Sequence, residues 1–283
     1  MKNMNIKKTV TGIIIFLSFS CSQRDAEYYY LKGYKCYKKQ NYELAIECFN
    51  KAIDIDSKDA DVYFARALSY DWLGEKDLAI ADYTSAIKYN YKGTGAYYNR
   101  GVIYLVVLNK YDKAISDFEM TIKLDSMFLK PYFKLVEIYG EQYKLDLFAE
   151  YLNKIISIDP LNAEAYFLRG TNFANQKRYQ QAIEDFDMAI KLEPHNDNFY
   201  FARGGIYAVL DNIELALQDF NKGIEVNPKN STLFFVRAGL YRKFLKDNEK
   251  AIEDYKKAAD LGYNDAKTAL KDYYNIDYQP TSK

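Results

Sequence analysis

From Ala26 onward the chain carries apolar or small residues at steps of three, four and seven, with polar residues between them. In residues 163–196 these positions are Tyr166, Gly170, Phe173, Tyr179, Ala182, Phe186, Ala189 and Leu192, followed by Pro194. Such steps return to one side of a helix every turn or two, so they predict helices with a single buried stripe. The stripe breaks at 176–178, the length of a tight turn between antiparallel helices. Pro194, like Pro160 and Pro228, is expected to stop the second helix, because proline lacks an amide hydrogen and crowds the preceding turn. One period therefore reads as helix, turn, helix, loop.

The period recurs along almost the whole chain. Ala45, Ala79, Ala114, Ala182, Ala216 and Ala251 are spaced 34, 35, 68, 34 and 35 apart, the 68 being two periods. A second series, Tyr29, Tyr63, Tyr97, Tyr132, Tyr166, Tyr200 and Phe234, steps by 34 with one step of 35. Two unrelated positions that share one period identify a repeat array, which buries its apolar faces between neighbours and needs no single central core. Seven units fit, starting at Ala26, Ala60, Thr94, Leu129, Ala163, Asp197 and Ser231. Beyond them Ala266, Ala269, Leu270 and Tyr273 continue a helical stripe, expected as a capping helix over 265–275 that covers the last apolar face; 276–283 reads as a frayed tail.

Small residues sit where two backbones must approach: Gly33, Gly101, Gly170 and Gly204 on the first helices, and the alanine series on the second. With the aromatic near the start of each unit and the closing proline, this pattern resembles the tetratricopeptide repeat (TPR) family, whose unit is a helix–turn–helix of 34 residues. The resemblance implies an all-α fold, a right-handed α-solenoid of about seven TPR units plus a C-terminal capping helix. It also implies a binding role for the face formed by the first helices.

Comparison of the units with one another shows a pairing. Arg66, Arg100, Arg169, Arg203 and Arg237 each precede the small first-helix position, and the same five units carry Asp82, Asp117, Asp185, Asp219 and Asp254 just before the second-helix aromatic. The other two units lack both members, with Lys32 and Cys48 in one and Leu135 and Tyr151 in the other. Presence and absence travel together, so a ladder of guanidinium–carboxylate pairs is expected, within a unit or bridging to the next. Unit four also departs in its packing positions, with Val136, Phe148 and Ile155 where its neighbours have small residues. It is either a drifted repeat whose bulky residues compensate one another or a bend or interaction point in the array.

The TPR resemblance places the second, fifth, ninth, twelfth and thirteenth positions of each unit on a ligand groove. The fifth positions are Tyr30, Phe64, Tyr98, Phe133, Phe167, Phe201 and Phe235, an unbroken aromatic row, with Asn99, Lys130, Lys134 and Glu137 as polar neighbours. An aromatic stripe at helical spacing serves either as core or, where open, as a set of anchors for an extended peptide or an amphipathic helix. The family's carboxylate clamp for chaperone tails needs Lys, Asn and Arg at set groove positions. Those positions here hold Tyr30, Tyr34, Asn99 and similar residues in another combination, so that recognition is not expected.

The N-terminus is different. Lys2, Lys7 and Lys8 precede an apolar stretch from Val10 to Phe19, and the first acidic residue is Asp25. This is the layout of an export signal, and its apolar part is shorter than the roughly 20 residues of a membrane-spanning helix. Leu17-Ser18-Phe19-Ser20-Cys21 resembles the lipobox of bacterial lipoproteins, which implies a signal over 1–20, lipidation of Cys21 and a tether over 21–25. Secretion without lipidation and an uncleaved apolar start are the other readings. The whole chain holds 39 basic and 39 acidic residues, and loss of residues 1–20 leaves a net charge of −3, with no general footprint for nucleic acid. The single histidine, His195, follows Pro194 in a loop, and Cys36 and Cys48 stand on the two helices of unit one as a possible disulfide or as free thiols. No catalytic, cofactor or metal set stands out. The expected function is a non-enzymatic, lipid-anchored scaffold at the cell envelope that binds a protein segment. The alternatives are small-ligand or glycan binding on the aromatics and a cytoplasmic adaptor.

Overall fold

A computed structural model describes residues 23–280; residues 1–22, on which the expected signal and Cys21 fall, and residues 281–283 lie outside the described residues. Among the described residues there are fifteen helices and no strand. Seven hairpins follow one another: α1 (23–38) with α2 (Tyr42–Ile55), α3 (Ala60–Leu73) with α4 (Lys76–Lys88), and α5 (Gly95–Val106) with α6 (Tyr111–Leu124). They continue as α7 (Leu129–Glu141) with α8 (Leu145–Ile158), α9 (Ala163–Asn175) with α10 (Tyr179–Leu192), and α11 (Asp197–Val209) with α12 (Ile213–Val226). The last pairs α13 (Ser231–Leu240), extended by a π-helical turn Tyr241–Leu245, with α14 (Asn248–Asp260), and α15 (Asn264–Tyr274) follows it. The chain forms two compact units, Met1–Ile138 and Tyr139–Lys283, and the division falls inside α7.

Local sequence explains where the helices start and stop. The linkers between hairpins present Asp59, Asn162, Asn196 and Asn230 as N-caps whose side chains accept from backbone amides of the following first turn. Second helices α8, α10 and α12 end two residues before Pro160, Pro194 and Pro228. Every hairpin turns through one residue in the left-handed region: Gln40, Gly74, Asn109, Tyr143, Lys177, Asp211 and Lys246. Only one of these is glycine.

In each compact unit the alanine series is the innermost layer. Ala45, Ala79 and Ala114 in the first, and Ala182, Ala216 and Ala251 in the second, are fully buried. The first-helix glycines make room for a ring, a contact the spacing alone did not reveal. A Cβ on Gly33, Gly101, Gly170 or Gly204 would lie 2.7–2.9 Å from the second-helix ring of its own hairpin, Phe49, Phe118, Phe186 or Phe220. Where alanine replaces the glycine, at Ala67 and Ala238, the ring is a tyrosine, Tyr83 or Tyr255. In hairpin four Leu135 and Val136 are buried in the first unit, and Leu152 and Ile155 in the second; Phe148 lies against Gly140, 3.3 Å from the position a Cβ would take.

Two departures from the 34-residue step are absorbed at the hairpin turns. Hairpins three and seven each hold one extra residue, taken up after α5 by a bond from the Lys110 amide to the Tyr104 carbonyl and after α13 by the π turn, where the Asp247 amide bonds the Tyr241 carbonyl. Part of the stretch expected as a tail from residue 276 makes contacts with the last hairpin. Ile276 and Tyr278 pack against the last core cluster, and the Tyr278 hydroxyl donates to the Asp260 carboxylate at 3.0 Å.

The tight glycine contact sets a prediction. Gly170→Ala places a methyl 2.8 Å from Phe186, and the ring and the Asp185 Cβ behind it must move. Denaturant unfolding should show a loss of about 1–3 kcal/mol, the usual range for overpacking, although alanine is the better helix former. An unchanged midpoint would show that the ring does not define the approach.

Candidate functional site

Two faces of the first helices carry chemistry. Positions five and seven of a unit lie about 200° apart around the helix, so the aromatic row and the arginines point away from each other.

The arginine face is a set of three-way junctions. Arg66, Arg100, Arg169, Arg203 and Arg237 each hold the aspartate of their own second helix (Asp82, Asp117, Asp185, Asp219, Asp254) by two parallel bonds, Nε to Oδ2 and Nη2 to Oδ1, all 2.6–2.9 Å. This is the bidentate fork geometry that suits guanidinium and carboxylate. The third nitrogen reaches back to the preceding hairpin. Nη1 of Arg66, Arg100, Arg169 and Arg237 donates to Asn50, Thr84, Asn153 and Asn221 at 2.6–2.8 Å, and that of Arg203 donates to Asp187. The aspartates are almost fully buried and the arginines largely so.

Rings complete each junction. The guanidinium of Arg66 lies 5.5 Å from the ring of Tyr63 and 5.8 Å from Tyr70; Tyr97 and Tyr104 flank Arg100, and Tyr166 and Phe173 flank Arg169. The 34-residue tyrosine series thus supplies one of the two rings. Hydrogen bonding to Asp185 raises the Arg169 guanidinium above its ordinary range against the burial that opposes it; Arg203 is raised in the same way by Asp219, with Asp187 adding. The backward bond is a feature sequence comparison passed over. Its signal was present, because an Asn, Thr or Asp stands at the acceptor position before every such arginine, whereas Glu119 precedes Leu135 and Lys256 ends the series.

The opposite face carries the aromatic row, and every member is part-exposed: Tyr30, Phe64, Tyr98 and Phe133 in the first compact unit, Phe167, Phe201 and Phe235 in the second. Phe201 is the most open, at 36%. Tyr30, Phe64, Tyr98, Phe167, Phe201 and Phe235 rest on the second-helix ring of their own hairpin, with centroids 5.4–6.4 Å apart: Phe49, Tyr83, Phe118, Phe186, Phe220 and Tyr255, respectively. Phe64, Tyr98, Phe167 and Phe235 gain a second ring from the segment that follows their hairpin, Tyr91, Phe128, Phe199 and Tyr263. One side of the row is therefore core, and the other side is surface. Among the polar neighbours Asn99 is half-buried and Lys130 exposed, while Lys134 and Glu137 pair with each other at 2.7 Å. Glu137 is thereby less available to set a ligand's register.

Elsewhere the chemistry is sparse. Cys36 and Cys48 are both free, and burial pushes the Cys48 thiol up, away from the reactive thiolate. His195 is exposed in the linker after α10. Among the described residues no group of three or more His, Cys, Asp or Glu could hold a metal ion, and no helix is long and apolar enough to cross a membrane.

The junctions yield a double-mutant test. Arg169→Ala strands the buried Asp185 and should cost about 2–3 kcal/mol in chemical denaturation, less than a fully buried pair because Arg169 is partly solvated. The double change with Asp185→Ala should cost clearly less than the two single losses together. Strict additivity would show that the pair is not coupled.

Family models described as TPR repeat or tetratricopeptide repeat match residues 33–71, 64–126, 163–196, 197–230 and 233–261, together about two thirds of the chain. A curated relative, an uncharacterized protein of Methanocaldococcus jannaschii, is 43% identical over 51 residues, which are 18% of this chain and 59% of that protein. The chain thus spans little more than half the length of that relative. Among solved structures, the C-terminal part of a TPR repeat-containing protein of Cytophaga hutchinsonii is similar with a TM-score of 0.74, at 22% identity over 86% of this chain and 99% of that one. YrrB, described as a TPR protein with an unusual peptide-binding site, gives a TM-score of 0.57 at 25% identity, over 68% of this chain and 98% of its own. A tetratricopeptide repeat protein of Parabacteroides merdae gives 0.55 at 19% identity, over 88% and 98%. The helical hairpins, their period and these matches agree: the chain belongs to the tetratricopeptide repeat family.

Proposed function

We propose that this protein is an interaction scaffold that holds an extended segment of a partner protein against the aromatic rings of its second compact unit, Phe167, Phe201 and Phe235, and that lipid on Cys21 carries it at the cell envelope. TPR-repeat proteins are generally protein-interaction scaffolds, which gives the class. The observation that carries the finer reading is the half-burial of these rings. Aromatic side chains fixed from behind by core rings offer apolar area with little conformational freedom left to lose, the usual character of binding hot spots. The peptide-binding site described for YrrB supports the same reading. Support from neighbouring rings favours an extended apolar ligand over a glycan, which would be better served by isolated rings in open pockets. The envelope location rests on the basic start, the apolar stretch Val10–Phe19 and the lipobox-like segment ending at Cys21, two residues before α1 begins.

Two experiments test the parts separately. Selection of peptides from a random display library on the full chain should yield binders that lose at least tenfold in affinity, about 1.4 kcal/mol, to the Phe167→Ala/Phe201→Ala variant. Binders indifferent to that change would remove the row from the site. In the native host, metabolic labelling with a clickable fatty acid should tag the wild type and not Cys21→Ser; equal labelling of both would overturn the anchor.

A further inference from the structure

The aromatic row stops at Phe235. One period later the same position is Ala269 on α15, and position nine of the last hairpin is Gly239, where an added Cβ would meet nothing within 4 Å. Both small residues line a cleft of about 500 Å³ between α13 and α15, with Phe235, Tyr255 and Tyr273 among its walls. A space of that size holds a few amino-acid residues.

The π turn delivers Arg242 into this cleft. Its guanidinium lies 3.8 Å from the centroid of the Tyr273 ring and hydrogen-bonds the Tyr255 hydroxyl, while its Nε is buried with no hydrogen-bond partner. Unlike the five junction arginines, it holds no carboxylate among the described residues. A buried donor without an acceptor is costly, so a ligand that brings one gains more than an ordinary hydrogen bond supplies. The lip defines which acceptor fits. Asp265 and Asp272 on α15 are exposed and form no ion pair among the described residues, and the nearby Lys243 ammonium lies over the Phe244 ring. The lining balances these two carboxylates, both on α15, against Arg242 and Lys243 on the α13 side, so a flanking cation of a ligand is received along α15 while the remaining guanidinium donor meets a main-chain carbonyl.

We propose that the cleft between α13 and α15 is an anchor site that takes one apolar side chain of an extended basic peptide segment, whose main-chain carbonyl accepts from Arg242 Nε. The proposal rests on the peptide reading above and adds its place and its chemistry. The rings bury the apolar side chain, and Asp265 and Asp272 receive a flanking lysine or arginine.

Fluorescence anisotropy on the full chain tests it with labelled, end-blocked nonapeptides: a central leucine flanked by lysines, the same with central alanine, and the leucine peptide flanked by glutamates. The lysine-flanked leucine peptide should bind at least tenfold tighter than either of the others. Gly239→Leu fills the cleft without opposing the helix and should weaken binding at least tenfold with a thermal midpoint no lower than that of the wild type. Gly205→Leu, the equivalent change one hairpin earlier, where an added Cβ also meets nothing, should stay within twofold. Arg242→Gln should weaken every lysine-flanked peptide by a similar factor, since its partner is main chain. Native-like binding by Gly239→Leu, equal binding of glutamate-flanked and lysine-flanked peptides, or no binding by any of the three overturns the anchor. The scaffold reading falls only if library-selected peptides are also indifferent to Phe167→Ala/Phe201→Ala.

Discussion

Apolar stacking between helices is non-directional, and a repeat array built on it alone could slide. The guanidinium of position seven removes that freedom. Its planar fork is filled from two sides, by the aspartate of its own hairpin and by an acceptor on the previous one, so one side chain fixes three helices at once. Flanking rings cover the faces of the group while its edges hydrogen-bond, and this lets a permanent charge lie largely out of water. The tight glycine–phenylalanine approach depends on the same register, because Asp185 precedes Phe186 on α10 and both meet the backbone of Gly170.

The parts that recur identically could be read from the sequence. The alanine series, the closing prolines and the joint presence of Arg and Asp announce themselves by repetition, and the aspartates do meet the arginines. The backward bond was harder to see, since Asn, Thr and Asp are one acceptor to a guanidinium and three different letters in a sequence. The state of the aromatic row was not legible at all: Phe167 or Phe201 has the same spacing whether it faces core or solvent, and only the placement of rings from other segments decides it. Likewise the steps of 35 show that a residue is added, while nothing in them specifies a π turn in one hairpin and a lengthened turn in another. Tyr278 was missed because a polar terminal stretch carries no periodicity, and its anchor, Asp260, lies on a different element.

The two faces of the first helices divide the work. The junction face holds its polar groups against each other and has little left to offer a ligand, whereas the ring face is held rigid by that same order. Phe201 and Phe235 cannot turn away from solvent, since Phe220 and Tyr255 stand behind them. A surface prepared in this way gives up little entropy when it is covered.

The added residues in hairpins three and seven carry a wider consequence. Arg100–Asp117 and Arg237–Asp254 span 17 residues where the other pairs span 16, and the fork geometry is the same in all five. Sequence length at the hairpin tips is therefore uncoupled from helix register. Those tips are natural graft points: a longer excursion, an epitope or a tag placed between Val107 and Lys110 or within Tyr241–Leu245 would extend the edge and leave the clasp between the helices as it is.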